Sequence, residues 1–212
     1  MPRMPHTPLA MAVLKLLDEY SMHPYEMQQV VRDRHLDSVF RLKSGSLYHT
    51  VERLEQAGLI ESLETNREGR RPERTVYAIT EAGRDEFHAW LRQMLAIPAQ
   101  EFPQFAAALA SIVHFKTEEV AQLLLHRALL LEAELAAGER TLRGLQEEER
   151  ISRIHLVEFE YGQALRRAEL GLVRSLVREI KDGTLDGLAE WRAYHKARDA
   201  ADSEQQRKET DV

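Results

Sequence analysis

RLKSGSLYHTVERLEQAGLIE, residues 41–61, acquires two kinds of surface once it is wound into a helix. Leu47, Val51 and Leu54 recur at i, i+4 and i+7, which the 3.6-residue period gathers into one stripe suited to a core. The other side carries Ser46, His49, Thr50, Arg53 and Gln56. These are short donors and one cation, not the Glu/Lys mixture that only keeps a helix soluble. Ser44 stands where a capping hydroxyl is expected and Gly58 where the helix should stop. Such a surface suits a hydrogen-bonding partner, and its neighbours in the sequence indicate which.

Upstream, Thr7-Pro8 pairs a capping hydroxyl with proline at the first helical position. Leu9, Val13, Leu16 and Leu17 then continue an apolar stripe to a stop near Tyr20-Ser21. His23-Pro24 opens a second, shorter helix ending near His35, with Glu26 in its first turn and Met27, Val30 and Val31 facing inward. Downstream the period changes. LIESLET, residues 59–65, alternates, and RTVYAIT, residues 74–80, is β-branched and aromatic, with loop-forming NREGRRPE between them. The economical assembly is a hairpin with a basic tip. Thr80 then caps a fourth helix whose apolar side is expected at Phe87, Leu91, Met94 and Leu95.

IPAQEFPQ, residues 97–104, holds two prolines and breaks the pattern, which places a domain junction there. The expected blocks are residues 1–96, residues 97–200 and a polar tail, 201–212, with the composition of a frayed or disordered segment. Beyond the junction nearly everything is helical. One stripe is expected at Val120, Leu124, Leu131 and Leu135, and a second at Ile154, Tyr161, Leu165, Leu172, Leu176 and Ile180. A third helix, around Leu185 to Arg198, contains Trp191. These helices offer more apolar surface than one small bundle covers.

The 212 residues include no cysteine, which excludes a disulfide framework and thiolate zinc sites and fits a reducing compartment. The N-terminus, MPRMPHTPLAMAVLKLLDEYS, lacks the pattern of a secretory leader, and no segment reaches eighteen apolar residues. A cytoplasmic protein with no membrane partner is expected. The formal charge is −6, so the molecule as a whole does not advertise a polyanion partner. Its distribution says more. TNREGRRPERT, residues 65–75, has four arginines against two glutamates, the densest positive cluster in the chain. No cofactor or metal is expected: His114 and His126 fall on different predicted helices, and no His-x3-His or Glu-x-x-His pair occurs. With no nucleophile elbow and no phosphate-binding glycine loop, the chain does not read as an enzyme.

Three helices followed by a hairpin is the winged helix-turn-helix order, in which the third helix enters the major groove and the wing reaches the neighbouring backbone. MHPYEM (22–27), LKSGSLYHTVERLEQAGLIE (42–61) and GRRPERTVYAITEAGRDEF (69–87) together resemble the PadR family of transcriptional regulators, over roughly residues 9–95. Two positions depart from the family pattern: Pro24 replaces a usual glycine and His49 a usual proline. The second change adds a donor near the exposed start of the third helix. The long helical remainder is similar to that of the larger family members, in which it pairs the subunits.

The fold class expected is therefore mainly α: an N-terminal winged helix-turn-helix of three helices and a two-stranded wing, then a C-terminal all-helical dimerisation domain. DNA-binding candidates are Tyr25, Ser44, Ser46, Tyr48, His49 and Arg53 with the wing residues Arg67, Arg70, Arg71 and Arg74. Plainer roles stand beside these. Ser44 caps, Tyr25 and Tyr48 pack, Arg53 pairs with Glu52 or Glu55, and the wing is a solvated turn balanced by Glu68 and Glu73. The expected partners are double-stranded DNA with a pseudo-palindromic operator, a second copy of the chain, and a small aromatic or apolar effector. A dimer is also a geometric need, because two recognition helices must meet successive major grooves about 34 to 36 Å apart. The resemblance implies a repressor, and some family members sense aromatic compounds. Phe102, Phe105, Phe115, Tyr161 and Trp191 are the candidates to line an effector cavity. Two rival readings are a winged-helix protein-interaction module without DNA binding and a helical enzyme with an appended domain.

Overall fold

The computed structural model of the chain describes residues 6–34, 36, 40, 44–66 and 74–210. It divides into two compact units, Met1–Glu101 and Phe102–Val212.

In the first unit, α1 (Pro8–Glu19) begins at Thr7, whose hydroxyl accepts the Ala10 N–H at 3.2 Å. The second helix, α2 (Pro24–Asp33), begins at His23, whose Nδ1 accepts the Tyr25 N–H at 3.0 Å while Glu26 accepts the His23 N–H at 2.9 Å. These are the reciprocal bonds of a capping box, with imidazole in place of the usual hydroxyl. The third helix, α3 (Ser44–Gln56), ends at Gly58 with φ +71°, and the Leu59 N–H closes back on the Leu54 carbonyl at 3.0 Å. That left-handed stop is what glycine permits at low cost.

Strands β1 (Ile60–Asn66) and β2 (Arg74–Ile79) pair antiparallel with Ile60 opposite Ile79 and Leu63 opposite Val76; the register is irregular between Leu63 and Asn66. Met22, the residue before the α2 cap, adds a bridge to β2. Its N–H and carbonyl both bond Tyr77 at 3.1 Å. No alternation around Met22 announces this bridge. Helix α4 (Glu81–Ala96) starts at Thr80, whose hydroxyl accepts the Gly83 N–H at 3.0 Å and donates to the Gly58 carbonyl at 2.8 Å. One side chain thus joins the end of α3 to the start of α4. Gly83 lies so close to β1 that a Cβ there would collide with the Leu59 carbonyl oxygen.

The core of this unit collects Leu14, Leu16 and Leu17 of α1, Met27 and Val31 of α2, Leu47, Val51 and Leu54 of α3, Ile60, Ile79, Phe87 and Trp90. The expectation for α4 needs correction. Phe87 is buried, but so is Trp90, whereas Leu91, Met94 and Leu95 are exposed. Gly83, Phe87 and Trp90 lie on one face at i, i+4 and i+7: Gly83 approaches the Leu59 carbonyl and Ile79, and Phe87 and Trp90 join the core with α1. His6 stacks on Trp90 with ring centroids 4.4 Å apart.

The second unit contains α5 (Gln104–Leu109), a short turn at Ile112–His114, α6 (Thr117–Arg143), α7 (Val157–Asp182) and α8 (Leu188–Thr210). Helix α7 returns along α6. Their common core is Val120, Leu124, Ala128, Leu131 and Leu135 against Leu170, Val173, Val177 and Ile180, closed by Leu188 and Trp191. The pairs Glu132–Arg174 (2.8 Å), Glu134–Arg166 (3.0 Å) and Glu139–Arg167 (3.1 Å) flank this seam. Such exposed pairs contribute little beside the apolar burial. The expected stripe on α6 is present. Of the second expected stripe only Ile180 is fully buried and Leu176 partly so, while Tyr161, Leu165 and Leu172 on α7 are exposed, as is Ile154, which precedes that helix. The helix carries two apolar stripes, and its own chain uses the other one. Helix α8 extends through Thr210, so residues 201–210 of the expected polar tail are helical, as their Ala, Glu, Gln, Lys and Arg favour.

The two tryptophans report on the two units separately, Trp90 in the first core and Trp191 in the second. Gly83→Ala is expected to lower the urea midpoint of the Trp90 transition by the equivalent of about 1–3 kcal/mol. Gly171→Ala, in α7 with nothing within 4 Å of its Cβ, should raise the Trp191 transition by up to about 1 kcal/mol. Equal responses to the two substitutions would contradict the packing described for Gly83.

Candidate nucleic-acid interface

With Leu47, Val51 and Leu54 at 1 % exposure or less, the rotation of α3 about its axis is fixed. The 100° step between residues then turns Gly45, His49, Glu52 and Gln56 directly outward, with Ser46 and Arg53 beside them. Ser46, His49, Glu52 and Gln56 are exposed and Arg53 is half-buried. Thr50 corrects the expected surface. It is buried, and its hydroxyl donates to the Ser46 carbonyl at 2.8 Å, so it serves the helix and not a partner.

The flank of α3 nearest α2 is aromatic. Tyr48, about half exposed, meets the His23 ring edge-on at 6.4 Å, and the same His23 holds the N–H of Tyr25. Tyr25 is also half exposed, so both phenols project beside the N-terminus of α2. Tyr20 is exposed as well, a feature that periodicity could not reveal because it lies just past the end of α1. Under this side sits Tyr77. Burial pushes its phenol above the ordinary range, and the charges of Glu55 and Glu52 add to the shift. It remains a neutral donor at ordinary pH. On the outward row, Glu52 lies 3.8 Å from His49 Nδ1 and accepts from Gln56 Nε2 at 3.4 Å.

The wing arginines Arg67, Arg70 and Arg71 lie outside the described residues, as do the side chains of Ser44 and Arg74. The backbone places Ser44 at the first turn of α3 and Arg74 at the start of β2, opposite Asn66.

The aromatic residues of the second unit do not share one place. Trp191 is core, and its indole N–H donates to the Phe115 carbonyl at 2.9 Å. Phe105 packs on the same cluster with the Arg127 guanidinium 3.8 Å above its ring. Phe115 is half exposed, and Phe102 and Tyr161 project outward at 88 % and 65 % exposure. A cavity of about 270 Å³ in this unit is lined by none of these aromatic residues but by Lys116, Thr117, Glu118, Arg192, His195, Lys196 and Asp199. Among the described residues no cluster of three or more His, Asp or Glu is placed to hold a metal ion, and no helix is long and apolar enough to cross a membrane.

Residues 13–89 match the model of the transcriptional regulator PadR-like family. No curated protein sequence matches the chain. Among solved structures, Bacillus subtilis PadR in complex with operator DNA is similar with a TM-score of 0.66 at 20 % identity, over 82 % of this chain and 99 % of that one. The same protein in complex with p-coumaric acid gives 0.66 at 18 % identity with the same coverage. The PadR-like transcriptional regulator of Bacillus cereus gives 0.54 at 19 %, over 85 % of this chain and 99 % of that one. At these identities the likeness establishes the fold, while the family match identifies the domain. Residues 13–89 thus carry a PadR-like transcriptional-regulator family domain, folded as a winged helix and followed by an extended set of C-terminal helices.

Proposed function

We propose that this chain is a dimeric, sequence-specific DNA-binding regulator of the cytoplasm, a repressor whose grip on a pseudo-palindromic operator is relieved by a small aromatic or apolar effector. The observation that carries this reading is the outward side of α3: polar side chains, His49, Glu52 and Gln56 with Ser46 and Arg53 beside them, on a helix whose rotation is fixed by its core, with two phenols near the capped start of α2. Ser46, His49 and Arg53 address the groove, with Ser44 at the helix start. Tyr25 and Tyr48 hold backbone phosphates, and Arg67, Arg70, Arg71 and Arg74 neutralise phosphates from the wing. The operator complex and the p-coumaric acid complex of the B. subtilis protein support the partners proposed here.

The pairing of subunits has its own support. Tyr161, Leu165, Ala168 and Leu172 follow one another at spacings of four, three and four, a heptad seam, and its three large members are at least 48 % exposed. Exposed Leu123 and Leu130 on α6 add a second unpartnered apolar row. A second copy covering these rows would also set the separation of the two recognition helices. The effector is proposed to bind at the subunit pairing surface, where Tyr161 is exposed, and it relieves repression only by favouring an arrangement that DNA does not.

Fluorescence anisotropy with duplex from the region upstream of the protein's own gene tests the assignment. Arg70→Ala with Arg71→Ala is expected to weaken binding to every sequence and to flatten the salt dependence by about 0.9 in slope per contact removed. His49→Ala or Arg53→Ala should alter base preference. Affinity and slope unchanged in all variants would defeat the site. Light scattering is expected to give twice the 24.5 kDa chain mass, reduced to a monomer by Leu165→Glu with Leu172→Glu. A wild-type monomer at micromolar concentration would remove the pairing argument.

A further inference from the structure

The outward row of α3 includes a carboxylate, Glu52, which is an odd occupant for a surface facing phosphates. The side chain of Glu52 is 63 % exposed, and among the described residues the cation at ion-pair distance from it is His49, at 3.8 Å. Arg53, its immediate neighbour, points about 100° away and is half-buried. Gln56 donates to Glu52 at 3.4 Å, so His49, Glu52 and Gln56 form one outward row at i, i+3 and i+7. Solubility alone would explain a carboxylate anywhere on a helix, but this row is the part that enters a groove if the proposed DNA reading holds.

In that position a negative charge opposes the polyphosphate on every sequence unless a base donates to it. The major groove offers two exocyclic amino donors. Adenine N6 is flanked in the groove by two acceptors, its own N7 and the thymine O4, which repel the second carboxylate oxygen on either side, whereas cytosine N4 has an acceptor, guanine O6, on one side only. We infer that Glu52 is a specificity-determining residue that reads a cytosine amino group in each operator half-site and penalises duplexes lacking one there, an inference that rests on α3 occupying the major groove. His49 and Gln56, one on each side, keep the carboxylate oriented and supply donors to the adjoining bases. The row therefore discriminates by repulsion as well as by attraction.

Selection from a randomised duplex pool with the full-length protein, followed by sequencing of the bound fraction, tests this. Wild type is expected to enrich sites with a fixed C·G pair in each half. Glu52→Ala should lose the preference at that one position, keep the others, and bind the unselected pool more tightly. At that position the discrimination should fall roughly tenfold or more. Glu52→Gln should move the preferred base there from cytosine to adenine, because a carboxamide can accept from N6 and donate to N7. If both variants enrich the wild-type sites with equal preference at every position, Glu52 reads no base and the inference fails. If wild type itself enriches nothing, the major-groove reading beneath it fails first.

Discussion

Burial of Leu47, Val51 and Leu54 against α1 and α2 is the constraint from which the functional surface follows. Fully burying such side chains is worth on the order of 2 kcal/mol each. Turning α3 by a single residue would withdraw them and push Tyr48, Glu52 and Glu55 inward, with a further desolvation cost of several kilocalories for the carboxylates. The helix therefore has one rotational setting. The side it shows to solvent is decided by what lies underneath it, and the polar side chains of the outward row need no partner of their own to hold them in place.

Two small devices transmit that setting to the flanking elements. Thr80 bonds both the Gly58 carbonyl and the Gly83 N–H, and so ties the end of α3 to the start of α4 across the hairpin. His23 holds the first turn of α2 by its Nδ1 and meets Tyr48 of α3 with its ring edge. Met22, bonded on both sides to Tyr77, anchors the same junction to β2. The two exposed phenols and the outward row are thus parts of one scaffold.

Much of this was legible in the amino-acid order, because caps and periods act locally. Thr7, His23, Thr80 and Gly58 marked helix ends by chemistry that needs no tertiary partner, and the hairpin announced itself by a change of period. What the sequence hid depended on contacts made elsewhere. Thr50 read as a surface donor, but its hydroxyl folds back on the Ser46 carbonyl beneath the helix surface. Trp90 displaced Leu91, Met94 and Leu95 from the core because the close approach of Gly83 to Leu59 fixes which face of α4 meets α1. On α7 two apolar stripes compete at the same period, and Gln163 disguises the buried one: it is buried although its Oε1 meets no donor among the described residues. Periodicity identifies a stripe without saying whose surface covers it.

The central claim, that the outward side of α3 lies on duplex DNA, is tested most directly by photo-crosslinking. Benzoylphenylalanine placed at position 49, on the exposed row of α3, is compared with the same residue at position 140, an exposed site on α6. A covalent adduct to the bound duplex is expected from position 49, mapping to base edges, and none from position 140. A stable protein–DNA complex that crosslinks from position 140 but not from position 49 would contradict it.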